Sequence, residues 1–402
     1  MSSNNYQLSG SREISINPLL IEPTLGASSD DRTISIFFDA PYVLASGSSV
    51  RVMLPILPVD ANNQFTIKVK SYADGQPTAY LYSNTQPSGG DHSLARNQLG
   101  YAPVNITASG SAPFLEQSGG RYLVRTPMEF AWMADGITSG SIANNAAIDI
   151  LDDFDMSGYP ITAINNPAFA GTFDGHGHTI SNLTVNSMTY SRGFYLCALF
   201  GRVATPIIKD LNINGLVLHH TGNVSNTLWV SGLVGYSEPV YGSMTIENCR
   251  INISEISVST TTGKIYFGGL AGATKTVNIS NCAVTAPNTP FSLSGSYIYF
   301  GGLMGSIDND PTNINDSKWS GSATLTSTSS TRAGGLVGTK VGGNLIAKKN
   351  KANAVLNINA SGTNYYGSMI GYYNQGSSIV DTTSNHLLFV VNSSPVATHF
   401  GN

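Results

Sequence analysis

Three side chains with metal-binding chemistry stand close together in FAGTFDGHGHTISNLTV (Phe169–Val185): Asp174, His176 and His178. In a strand, residues i and i+2 share a face, so an H-x-H pair can offer two imidazoles to one ion. The same stretch reads as an Asp-Gly turn leading into the alternating strand HTISNLTV, and no third ligand is evident nearby in the sequence. A structural turn without metal is the expectation. DILDDFDMSG (Asp149–Gly158) brings four more carboxylates, Asp149, Asp152, Asp153 and Asp155. Paired acids could serve a glycosidase or lyase. Such a catalytic site also wants clustered Lys or Arg to neutralise a uronate, and the 20 basic residues of this chain are scattered, so turn and strand-edge acids are expected instead. Calcium on these acids, or on Asp308 and Asp310 in IDNDPTN, is the alternative. Serine-hydrolase chemistry has no anchor: G-x-S-x-G is absent and His219-His220 has no motif around it. The expectation is no catalytic residue, no metal and no cofactor.

The elements that position these residues follow from composition. At 402 residues the chain is too long for one ordinary core, so several domains or one elongated repeat body are expected. Only 11% of residues are charged, Gly (42) and Tyr (19) are abundant, and Ser, Thr and Asn dominate the polar positions, a palette for short strands and tight turns. A net charge of -4 gives no basic field for nucleic acid or anionic lipid. No apolar run reaches the roughly 18 residues of a membrane span. The N-terminal MSSNNYQLSGSREISINPLL has no signal-peptide h-region. Uncharged Thr/Asn/Ser-rich β chains favour a processed extracellular protein over a cytosolic one. Three cysteines, Cys197, Cys249 and Cys282, exclude a disulfide framework.

Residues 1–115 carry alternating runs, TISIFF, SVRVMLPI, QFTIKVKSY and TAYLYS, broken by Gly, Pro and Asn-Asn; they read as an antiparallel β-sandwich. SGSAPFLEQSGG (Ser109–Gly120) reads as a linker. In RYLVRTPMEFAWMADGI, Thr126 as N-cap, Pro127 at N1 and Glu129 at N3 form a capping box. The short helix it opens, with Met128, Trp132 and Met133 on one side and Phe130 and Ala134 beside them, suits the end cap of a solenoid.

From about residue 195 the chain repeats. YLCALFG, WVSGLVG, YFGGLAG, YFGGLMG, RAGGLVG and YYGSMIG end at Gly201, Gly235, Gly272, Gly305, Gly338 and Gly371, at intervals of 34, 37, 33, 33 and 33. Such a period signals a solenoid. Three β-like segments per period and no helix make each repeat one coil of a parallel β-helix, with coils about 4.8 Å apart. Leu199, Leu233, Leu270, Leu303, Leu336 and Met369 form one internal column. Cys249 and Cys282, 33 apart, are expected to stack as buried thiols. Six residues before each closing glycine stand Tyr195, Trp229, Tyr266, Tyr299, Arg332 and Tyr365. The next position, Leu196, Val230, Phe267, Phe300, Ala333 and Tyr366, must face the other way. The first set, amphipathic and including an Arg, is expected outside as a stacked aromatic ridge that binds ligand. The competing reading is a ladder that stabilises the sheet.

The GGLxG core at 33-residue spacing, followed by xIxNCxV, resembles the GLUG repeat of bacterial surface proteins. The upstream segments YLVRTPMEFAWMAD, AIDILDDFDMSGYPITAI and FAGTFDGHGHTISNLTV resemble the stretch that often precedes those repeats. The likeness covers about residues 121–385. It implies a right-handed parallel β-helix in an extracellular adhesion-type protein of gut Bacteroidetes. That pattern usually has Asn where His176 stands, which implies an exposed, interchangeable histidine. QFTIKVKSYADGQPTAYLYS followed by LARNQLGYAPVNIT is similar to the closing strands of a fimbrillin-like sandwich. Together these imply a cell-surface protein, outer-membrane-anchored if a lipoprotein signal precedes it. Its expected partners are host or microbial glycans, surface proteins or pilus subunits. The fold expected is all-β: a sandwich over 1–115 and a capped β-helix over 116–402. The function expected is non-enzymatic adhesion; the rivals are a carbohydrate-active lyase or hydrolase and a purely structural stalk.

Overall fold

The computed structural model describes residues 115–402, except 166–167, 192, 221, 238–241, 261, 288, 309–310, 375–377 and 402. It also describes four strands of the preceding segment. The chain divides into a unit over Met1–Phe114 and a unit over Leu115–Asn402. In the first unit, Ile14–Asn17 pairs antiparallel with Leu20–Pro23, and Phe65–Tyr72 with Ala79–Gln86. The second hairpin comprises the alternating runs QFTIKVKSY and TAYLYS. Whether these hairpins belong to a sandwich, fimbrillin-like or otherwise, lies outside the described residues.

The second unit is a β-solenoid in which each coil visits three sheets. One coil shows the path. Lys264–Gly268 lies in a long sheet of 17 strands, Ala271–Thr274 in a six-stranded sheet and Val277–Ser280 in a ten-stranded sheet. Ala283–Thr285 and Phe291–Gly301 then return to the long sheet and carry the chain into the next coil. Neighbouring coils pair in parallel: Tyr266 faces Tyr299, Ala271 faces Met304 and Val277 faces Thr312. The repeat core is therefore a corner and not one straight strand. The chain leaves the long sheet at Gly268 and enters the six-stranded sheet at Ala271, and only two residues make the bend. Gly272 shows why this position repeats: a Cβ there would stand 2.6 Å from Gly235 O in the preceding coil.

The leucine column is internal. Leu233 donates from its backbone to Leu270 O, Leu270 to Leu303 O, Leu303 to Leu336 O and Leu336 to Met369 O, at 2.9–3.3 Å, and all these side chains are buried. A second device follows five successive strands of the ten-stranded sheet. Asp210, Asn248, Asn281, Asp316 and Lys349 have φ between 50° and 56°, and Asx side chains tolerate this region best. Asn248 donates to Asp210 Oδ1 at 2.9 Å and Asn281 to Asn248 Oδ1 at 2.7 Å, which makes an amide ladder along the axis. Just inside it Cys249 and Cys282 are free and buried, as expected from their spacing. Below them Cys282 N donates to Ser317 Oγ, Ser317 N to Asn350 Oδ1 and Asn350 N to Asn385 Oδ1.

Helix α1 spans Pro127–Ser139. Thr126 Oγ1 accepts from Glu129 N, Glu129 Oε2 accepts from Arg125 N at 2.8 Å, and Gly140 closes the helix at φ 82°. The buried side is largely the one expected, with Met128 the exception. Phe130, Trp132, Met133, Ala134 and Ile137 are buried, whereas Met128 is half-buried. Phe130 is the contact that matters, with its ring 5.8 Å from Phe154 and 6.4 Å from Phe173, so it plugs the first coil. At the other end Gly401 extends the glycine column. It follows Gly371 by 30 residues, Gly401 N donates to Ile370 O, and Ile370 bridges Phe400.

Candidate functional site

The aromatic column is built by the register of the long sheet. Trp229, Tyr266, Tyr299, Arg332 and Tyr365 are successive partners in neighbouring strands. Tyr195 is not among them. Leu196 pairs with Trp229 and Tyr195 with Leu228, and the Tyr195 ring packs edge-on against His220 at 5.0 Å. The 34-residue first interval conceals this one-position slip.

Nor is the column a ridge. The two-residue bend folds the six-stranded sheet towards the outer face of the long sheet, and the column lies in the resulting elbow. All four residues of Ala271–Thr274, Met304–Ile307 and Val337–Lys340 are buried, so both faces of those strands are covered. The facing column of that sheet is Tyr236, Ala273, Ser306, Thr339 and Tyr372. Large rings stand at its two ends and small side chains lie opposite Tyr266 and Tyr299. Trp229 meets Tyr236 at 5.1 Å and Tyr365 meets Tyr372 at 5.0 Å. Trp229 is only 8% exposed, and Tyr266, Tyr299, Arg332 and Tyr365 are half-buried.

Stacking uses up ring faces. Tyr266 and Tyr299 lie 4.3 Å apart and within 10° of parallel. The Arg332 guanidinium sits 3.8 Å from the Tyr372 ring centre, 5.3 Å from Tyr299 and 5.8 Å from Tyr365, and its Nη1 donates to Thr339 Oγ1 at 3.3 Å. With those faces stacked, Tyr266, Tyr299, Arg332 and Tyr365 keep only partial exposure to solvent. Burial, reinforced by the neighbouring Tyr299 hydroxyl and Asp308, pushes the Tyr266 phenol above its ordinary value and keeps it a neutral donor. Asp308 accepts from Ser306 Oγ at 3.0 Å; burial raises its carboxyl, against the pull of that bond and of Lys275.

A second cluster lies at the entry turn. Asp149, Asp174, Lys209 and Glu247 are successive partners across the ten-stranded sheet. Arg121 grips both oxygens of Asp149, Lys209 Nζ stands 2.5 Å from Asp174 Oδ2, and His176 Nε2 is 3.1 Å from Asp149 Oδ1 and 3.7 Å from Asp174 Oδ2. Burial alone would raise both acids. Arg121 and His176 outweigh it at Asp149, and Lys209 and the His176 amide at Asp174, so both are held below the usual carboxylate range. The histidine expected to be interchangeable is thus a partner of both acids. Asp149 supplies the third ligand atom that the local sequence lacked, since one atom from each of Asp149, Asp174 and His176 lies within 4.8 Å of the others. Each carboxylate already holds a cationic side chain, so a divalent ion would have to displace Arg121 and Lys209. Two other acids of DILDDFDMSG do turn work: Asp153 accepts from Thr179 N and contacts His178, and Asp155 accepts from Ser157 and Asn182.

Two further groups were not legible. Ser187 Oγ lies 2.6 Å from His220 Nδ1, a pair that one coil period brings together. His220 is buried, which lowers its pKa, and it lines a cleft of about 450 Å³ with Ser254, Glu255, Ser257, Thr289 and Phe291. Lys340 is fully buried with Nζ donating to Gly343 O at 2.7 Å and to Gly342 O, and burial lowers its pKa to about 8.

No family model matches the chain, and no curated protein does. A crystal structure of a "putative immunoglobulin A1 protease" from Bacteroides ovatus is similar in fold, with a TM-score of 0.50 and 17% identity over 69% of this chain and 79% of that one. At that identity the likeness is one of β-helix fold alone.

Proposed function

We propose that this chain is a non-catalytic surface-binding protein of the GLUG-repeat, adhesion type. It acts outside the cell and presents a rigid solenoid to glycan or protein partners through the Trp229–Tyr365 elbow. The observation that carries the reading is the elbow itself: a column of phenol and guanidinium donors, held on a backbone ladder, where ordinary solenoid positions carry Ser, Thr or Asn. Of the acids that sequence singles out, Asp149 and Asp174 are held in ion pairs and Asp153 and Asp155 in turns. The test is binding of the full chain to a glycan array and to host cells. Tyr299→Ala and Arg332→Met should each weaken binding at least several-fold with the thermal transition still cooperative. Unchanged binding by both variants would rule out the elbow as the binding surface, and no binding by the unmutated chain would leave it a structural stalk.

Ser187 and His220 favour a second reading, a serine hydrolase with neutral His220 as base and Ser187 as nucleophile. The neighbour's protease name agrees with it in kind. Stoichiometric labelling by a fluorophosphonate probe that disappears in Ser187→Ala would establish this reading; no labelling would remove it.

A further inference from the structure

We propose that the Arg332 end of the elbow is a carboxylate subsite, and that the ligand of this surface is an acidic saccharide, one bearing a uronate or sialate group. The inference rests on the binding reading above and specifies its ligand. It starts from an ion without a counter-ion. Arg332 is the cation of the aromatic column, and among the described residues no carboxylate pairs with it, whereas Arg121 and Lys209 are both paired. Asp308 is in the adjacent coil, where it accepts from Ser306 Oγ at 3.0 Å.

A guanidinium has five N–H donors in a fixed fork. The faces of this one are spent on Tyr299, Tyr365 and Tyr372, and one donor is spent on Thr339. The cage fixes the orientation of the fork before any ligand arrives, which lowers the entropy cost of a bidentate carboxylate contact. The surroundings select a sugar over a peptide. The stacked Tyr266 and Tyr299 rings occupy the middle of the elbow. Around Arg332 stand three phenol side chains, Tyr299, Tyr365 and Tyr372, and the Thr339 hydroxyl. These groups match the alternating donors and acceptors of a saccharide. A neutral sugar would meet the same hydroxyls and leave the fork unsatisfied.

The test compares charge at constant sugar. The full chain is titrated calorimetrically with trigalacturonate and its methyl ester, with 3′-sialyllactose and lactose, and with a glutamate-rich peptide. At least one acidic sugar should bind roughly tenfold or more tighter than its neutral counterpart, with affinity falling as salt rises. Arg332→Met should erase that ratio, and Arg332→Lys, which keeps the charge and loses the fork, should recover only part of it. Melting curves of both variants check the fold, and the salt dependence of the unmutated chain needs no variant. Equal binding of acidic and neutral members overturns the proposal while surface binding stands. Peptide bound in preference to both acidic sugars also overturns it, in favour of a protein partner. No binding to any probe or to the array removes the binding reading itself.

Discussion

At the residue scale, the ion pairs of the entry turn make stability depend on acid. Asp149 and Asp174 are depressed below the ordinary 3.8, so their contribution is present above about pH 4 and is lost as pH falls through their folded values. Asp149→Asn should flatten the acid limb of a plot of melting temperature against pH, and an unchanged limb would show that other groups set it. Lys340 also makes stability rise with pH, but in an alkaline window and because burial penalises its charged form. Its folded pKa of about 8 lies below the unfolded 10.5, so the unfolded chain holds more protons between those values and stability rises with pH across that window. Lys340→Met should lack that rise in urea titrations at pH 7.5 and pH 10. The sequence shows neither effect. Asp149 reaches His176 because successive coils stack, and Lys340 follows a repeat core like any other surface lysine. Its burial comes from a strand with both faces covered.

At the element scale, the helix start was legible in full, since N-cap, N1 Pro and N3 Glu are local chemistry. Thr126→Ala should cost about 1 kcal/mol of unfolding free energy. The buried side was largely legible too, with Met128 the exception: Phe130 is the residue that meets the aromatic floor of the first coil. Phe130→Ala should therefore cost roughly 3–5 kcal/mol, and Met128→Ala clearly less, in the same denaturation series. The repeat core is the other lesson of this scale. Its apolar pattern reads as one strand, but Gly-Leu or a similar pair bends the chain between two sheets. Gly272→Ala should be among the most damaging small substitutions, since its Cβ would meet Gly235 O and the Trp229 Cβ at 2.6 and 3.2 Å. A variant that melts as the parent does would disprove that close approach.

At the scale of the whole molecule, a solenoid is stabilised by contacts between adjacent coils, so its middle should be its most protected part. Amide exchange should be slowest in the coils around Tyr266–Lys340, where neighbours cover both sides. It should be faster beyond Tyr365. Uniform protection from end to end would instead mark one cooperative unit. The sequence by itself determined the period, the internal leucine column, the stacked thiols and the helical plug, because each is written in residue types at fixed intervals that local geometry must obey. Only the tertiary structure decided what the repeat means for a ligand. The same register that aligned Trp229 with Tyr365 left Tyr195 one position out. The bend between the sheets turned an expected open ridge into a filled elbow, so ring faces stack on one another and the column keeps only partial exposure to solvent. A bend angle depends on how two sheets pack over small side chains, and no interval between residues records it.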